Sequence, residues 1–166
     1  MSLQEKKILD KVKDFGKKLP KFPDGRIDFT HSEKSLVLTV FIKYKDKILL
    51  LKRSNKVGTY KGKWNTVTGY IDEPKPLIEK IIEEISDELG ITEANILSYS
   101  FGEPFEFEDT KIKKTWIVHP AKVELKKNPD IKLDWEHSKY KWIKPEELKK
   151  FNIVPNLDLS LKRGLI

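Results

Sequence analysis

GYIDEPKPLIEKIIEEISDELGI, residues 69–91, joins a glycine loop to one amphipathic helix. Pro74 and Pro76 delay the helix, and Pro76 suits its first turn, where a missing N–H costs nothing. Leu77, Ile78, Ile81, Ile82, Ile85 and Leu89 then recur at helical spacing and form one apolar face. Gly90 stands where glycine commonly ends helices. Glu84, Asp87 and Glu88 lie at i, i+3 and i+4, which gathers three carboxylates on one side. A turn of about 100° per residue puts Glu88 between Leu77 and Ile81, inside the apolar sector. A carboxylate aimed at the core needs a partner, and a divalent cation would be that partner.

These residues resemble the Nudix hydrolase signature, G-x5-E-x7-R-E-U-x-E-E-x-G-U with U aliphatic. Laid on the chain without gaps, the signature starts at Gly69 and ends at Gly90-Ile91. Glu84 falls on the Glu after the Arg, Ile85 on the aliphatic position, and Asp87 and Glu88 on the Glu pair. The early Glu is Lys75 here, and the Arg is Glu83. In the family those two residues form an ion pair that braces loop against helix. Both signs are reversed together, so Lys75 and Glu83 keep the means to pair. Asp87 is a milder departure, a carboxylate with a shorter reach.

The resemblance implies an α+β fold of the Nudix type. That is an α/β/α sandwich with a mixed β-sheet and the Nudix loop-helix, to which this chain adds an N-terminal helix. It also implies metal ligation by Glu84, Asp87 and Glu88. Oxygen ligands select hard cations, so Mg²⁺ is the expected ion and Mn²⁺ the alternative. Glu84 and Glu88 are the expected catalytic carboxylates.

Outward from this stretch, residues 3–17 read as a helix. Ser2 and Glu5 form its capping box, and Ile8, Val12, Phe15 and Leu19 make a stripe on one face. Residues 20–28, with an Asp24-Gly25 turn, read as a connector. The expected organisation is therefore an N-terminal helix and connector over 1–34 and a Nudix hydrolase domain over 35–166, in one globular unit. Packing on the domain, covering the pocket and a homodimer contact all remain open to the N-terminal helix.

Residues 35–43 (SLVLTVFIK) and 47–53 (KILLLKR) read as strands joined by a tight turn at Tyr44-Lys45-Asp46. The second is almost wholly apolar before Lys52-Arg53, as a strand buried on both faces would be. In the family a basic residue at the end of this strand meets substrate phosphate, which makes Arg53 the phosphate-binding candidate. Lys63 and Gly69, in and at the end of the following loop, are the other substrate-binding candidates. Trp64 reads as packing rather than as a stacking platform.

Residues 95–108 and 113–125 read as long strands, with Phe101, Phe105 and Phe107 alternating. His119 sits at an expected strand break beside Pro120 and reads as structural. Residues 140–143 read as the last strand, and Pro145 begins a short helix. Many family members carry an extra carboxylate in the loop before that strand. Glu136 matches the layout as a metal ligand or general base, with Asp134 and His137 as local alternatives. Residues 154–164 read as a closing helix.

Composition sets the outer bounds. A chain of 166 residues suits one domain with a proper core. With no cysteine, disulfides, thiolate metal sites and a cysteine nucleophile are all excluded. No apolar run approaches a membrane span and the basic N-terminus lacks a signal-peptide core, so a cytoplasmic protein is expected. The net charge of +7 attracts anions such as nucleotides. Only Arg26, Arg53 and Arg163 are arginine among 33 basic residues, which argues against a nucleic-acid partner. The expected function is that of a nucleotide pyrophosphatase, a metal-dependent hydrolase cleaving the diphosphate linkage of a nucleoside diphosphate derivative, with a small-molecule nucleotide as substrate. The alternative is a non-catalytic module of the same fold that binds a nucleotide or ADP-ribose.

Overall fold

Helix α1 spans Leu3–Lys18 and opens on the expected box: Ser2 Oγ accepts the Glu5 N–H, and Glu5 accepts the Ser2 N–H in return. In the computed structural model, which describes residues 2–165, the inner face of this helix carries Ile8 and Val12 into the main core. The connector then folds back through the Lys21–Ile27 bridge, with Gly25 at a positive φ of 91°. Its Ile27 N–H donates to the Asp72 carbonyl at 2.9 Å, which fastens it beside the loop that leads into the next helix.

Among the described residues, eight strands form one mixed sheet: β1 Lys34–Tyr44, β2 Lys47–Arg53, β3 Trp64–Asn65, β4 Val67–Tyr70, β5 Ile96–Phe101, β6 Phe105–Asp109, β7 Lys114–Leu125 and β8 His137–Ile143. Strand β1 is central. It pairs in parallel with β7 along its whole length and antiparallel with β4 on its other edge. Its β-hairpin partner β2 continues the sheet to β8 and β3. Ile48 to Leu51 of β2 are fully buried, as the apolar run requires.

The period of two sorts the β1 side chains onto two faces. Leu36, Leu38, Val40 and Ile42 pack with α1 and with α2, Leu77–Leu89. Phe41, with Ile48 and Leu50 of β2, packs beneath α3, Leu157–Gly164. Helices thus cover both faces of a mixed sheet, the α/β/α arrangement expected from the sequence. No helix among the described residues is long and apolar enough to cross a membrane.

Five local readings need correction. The strand expected over 95–108 is two strands, β5 and β6, separated at Gly102-Glu103-Pro104. A side chain at Gly102 would run into the Arg163 carbonyl, so glycine is what lets the end of α3 lie against the chain there. The break expected beside Pro120 is absent, because β7 runs through His119 and Pro120 unbroken. Strand β8 begins at His137 rather than 140, and α3 begins at Leu157 rather than 154. Part of the expected glycine loop forms the short strands β3 and β4, so Gly69 belongs to a strand.

Candidate active site

Helix α2 begins after Pro76, whose carbonyl accepts the Glu79 N–H at 3.0 Å, and ends on Gly90 in the left-handed region at φ 70°. Lys80, Glu84 and Glu88 follow one another at i, i+4 and i+8, so they form a single row. Against this row lies β4. A Cβ on Gly69 would fall on the Glu84 carboxylate, so glycine is what lets the strand and that side chain approach. The blocking group is the end of a flexible side chain, which can swing aside. Gly69→Ala is therefore expected to shift the melting temperature little. Turnover should fall about 100-fold, because Glu84 is displaced by the order of an ångström. Paired melting curves and initial rates check this.

Glu88 is 2% exposed, and neither carboxylate oxygen has a hydrogen-bond partner. Burial, then the charges of Glu84, Glu136 and Asp134, hold it well above the usual carboxylate range. Burial likewise pushes Glu84 up to about 7, against the opposing pull of Lys80. Glu136 is raised by burial and by Asp134, with Arg53 opposing. Together these carboxyl groups form a region short of positive charge.

Two cations face it. Arg53 donates through Nε to the Thr59 carbonyl at 2.9 Å, and among the described residues it pairs with no carboxylate within 4.0 Å. Burial lowers its pKa, while Glu136 and Glu88 act to raise it. Lys80 is the second. Its side chain is 4% exposed, and Nζ lies 3.2 Å from Asp72 Oδ1 and 3.3 Å from Glu84 Oε1.

The reversed brace is present. Lys75 Nζ lies 2.6 Å from Glu83 Oε2, and Arg26 Nη2 lies 2.6 Å from Glu83 Oε1. Arg26 Nε also meets Glu73 at 3.2 Å. Burial pushes Glu83 up, but Lys75, Lys80 and Arg26 outweigh it and leave the carboxyl below its ordinary range. Arg26, from the connector, thus adds a second cation to Glu83 beside Lys75. A Lys75→Met, Glu83→Gln double-mutant cycle is expected to give a coupling of about 1 kcal/mol, read from the melting temperatures. Glu83→Arg should not rescue Lys75→Glu, because it would set a new arginine against Arg26.

Arg53, Gly69, Glu84 and Glu136 line one cavity of about 340 Å³. Tyr70, Phe107 and Trp116 form an aromatic part of its wall, and Thr39, Asn65 and Ser160 add polar groups. The Tyr60 hydroxyl donates to Asp109 at 2.8 Å and accepts from Trp116 Nε1 at 3.1 Å, which fixes the indole. Glu88 is not in this wall; it stands one turn along the helix from Glu84. Lys63 is not in the wall either, and its backbone carbonyl accepts the Arg53 N–H at 2.9 Å. Asp87 is exposed and outside it. Trp64 packs edge-on to Phe151 at 5.4 Å, as read from the sequence.

The sequence reading missed Lys80, Asp72 and Arg26. Lys80 had a signal, since it stands four residues before Glu84 on the same helical side. Among the described residues no three His, Asp or Glu side chains already close around one point. The two bare oxygens of Glu88 and the raised carboxyls beside it nevertheless fit a cation, because a positive ion is what that charge distribution lacks.

A mixed sheet between helices, with a carboxylate row on a helix laid against a glycine strand, defines a Nudix-type site. The Nudix domain model matches residues 34–163. The chain belongs to the Nudix family and is a hydrolase of phosphorus-containing anhydrides. It is 26% identical over 125 residues to the nucleoside triphosphatase NudI of Escherichia coli O81, covering 71% of this chain and 88% of that one. Among solved structures it is similar to the MutT protein of Methanosarcina mazei Go1, with a TM-score of 0.66, 24% identity, and 80% and 94% of the two chains covered. It also matches a C. elegans Ap4A hydrolase, with a TM-score of 0.62, 20% identity, and 78% and 93% covered.

Proposed function

We propose that the protein hydrolyses the diphosphate linkage of a small nucleoside di- or triphosphate derivative, in the cytoplasm, with the help of a divalent cation. The observation that carries this reading is that one cavity is lined by both charged groups and aromatic rings. Glu84, Glu136 and Arg53 are the charged groups, and Tyr70 and Trp116 are among the rings. Similarity to a nucleoside triphosphatase supports the triphosphate as the first substrate to try.

Glu84, Glu88 and Glu136 would hold the cation, with Mg²⁺ or Mn²⁺ as the ion and Asp87 as an outer carboxylate reached through water. Bound there, it would supply positive charge to the phosphoryl oxygens and acidify water. Arg53 binds phosphate through the guanidinium edge that Thr59 leaves free. Tyr70 and Trp116 hold the base by stacking and exclude water around it. Glu136 accepts the proton of the attacking water as its oxygen bonds to phosphorus and the bridging P–O bond breaks. Lys80 holds Glu84 in place.

The test is turnover across nucleoside triphosphates, ADP-ribose, dinucleotides and capped RNA, with Mg²⁺ or Mn²⁺ present. Cation-dependent release of products from one class supports the proposal. Silence across the panel, with one compound still raising the melting temperature, would instead support the binding-module alternative.

A further inference from the structure

His137 opens β8 opposite Arg53 in the sheet register, and its side chain is 1% exposed. Its Nδ1 lies 3.1 Å from Asp134 Oδ1. A carboxylate accepts, so Nδ1 carries the hydrogen and Nε2 keeps its lone pair. Nε2 has no hydrogen-bond partner and faces Glu88 Oε1 at 3.8 Å. Both oxygens of Glu88 are equally bare. Two buried atoms without hydrogen-bond partners therefore face one another.

A proton or a cation held between them would satisfy both atoms. A shared proton needs a separation of about 2.7–3.2 Å, and this gap is longer. Two ligands of one tetrahedral ion, each bonded at about 2.1 Å, stand about 3.4 Å apart, which small side-chain adjustments reach. We propose that His137 Nε2 and Glu88 together bind a divalent transition-metal cation, so that the site has a nitrogen donor. The Asp134–His137 pair is the device by which a carboxylate orients a metal-binding imidazole and makes it more basic. Rotation of Glu84 or Glu136, water and substrate phosphate supply the remaining positions. The inference rests on the cation reading above and adds to it a nitrogen ligand. An imidazole ligand moves the ion preference from Mg²⁺ toward Mn²⁺, Co²⁺ or Zn²⁺.

Mn²⁺ alone is the probe. Its affinity and its pulsed-EPR spectrum are measured on the wild type, His137→Gln, Asp134→Asn and Glu88→Gln, with melting curves as the folding control. The wild-type spectrum is expected to show hyperfine coupling to one nitrogen, which changes on ¹⁵N-histidine labelling. His137→Gln should lose that coupling and bind Mn²⁺ 10- to 100-fold more weakly. Asp134→Asn should keep the coupling and lose about 10-fold in affinity. If His137→Gln does not fold, the labelled wild-type spectrum decides on its own. Mn²⁺ bound through Glu88 with no nitrogen coupling would overturn the inference and leave the cation reading intact. Failure of the wild type to bind Mn²⁺ at all would overturn both.

Discussion

Glu88→Gln is expected to lower turnover by about 10²–10⁴-fold while the protein stays folded. The amide keeps the volume of the carboxyl and removes its charge. The same change should raise the stability of the metal-free protein above neutral pH. Glu88 and Glu84 both have folded-state pKa values raised by burial, Glu84 to about 7 and Glu88 well beyond its ordinary value. For a raised carboxyl, stability is fully present below the unfolded pKa and is lost as pH rises through the folded one. The metal-free wild type should therefore melt at progressively lower temperature from pH 5 to pH 8. Glu88→Gln should show a shallower decline, since one of the two groups no longer titrates. Melting curves in chelator across that range, set beside initial rates with the cation restored, check both halves. Wild-type activity in the variant would remove Glu88 from the machinery.

Lys80→Met should be the most damaging of these changes to stability. The side chain is nearly fully buried and ion-paired to Asp72 and Glu84. Methionine fills a similar space but leaves the Asp72 carboxylate buried without its only cation within 4.0 Å among the described residues. Removing one partner of a buried pair costs about 3–5 kcal/mol. At about 2–4 °C per kcal/mol for a chain of this size, the melting temperature should fall by roughly 10 °C. A divalent cation should recover part of the loss, and should stabilise the variant more than the wild type, because Glu84 is then free to bind it. Thermal shift measurements with and without Mn²⁺ test this. An unchanged melting temperature would mean that Asp72 and Glu84 do not depend on Lys80.

How much of this was legible in the sequence depended on whether the signal was local. Helix α2 was legible because its apolar period, its proline entry and Gly90 all lie within one stretch. The burial of Glu88 followed from the helical wheel. The Lys75–Glu83 pair followed from two reversals in register, and the capping box of α1 from three residues' spacing. Arg26 was out of reach, because only the folded connector brings it to Glu83. Lys80 was within reach and overlooked, since in a lysine-rich chain no single lysine stands out. The division between β5 and β6 is marked in the sequence by Gly102 and Pro104, against which the continuing aromatic alternation argues for one strand. The Gly102 N–H still donates to the Pro120 carbonyl at 2.9 Å, so the ladder holds and the alternation of Phe101, Phe105 and Phe107 continues across the gap. The nitrogen near Glu88 was legible only as an alternative to Glu136. The sequence places His137 in a loop, whereas it is the first residue of β8 and its side chain is buried.

The measurement that bears most directly on the central claim is release of phosphate or pyrophosphate from nucleoside triphosphates by chelator-treated protein, before and after a divalent cation is added back. No turnover without the cation, and turnover that appears with it, is the expected result. Equal turnover in chelator, or a nucleotide that stabilises the protein without being cleaved when the cation is present, would contradict a metal-dependent hydrolase built on Glu84, Glu88 and Glu136.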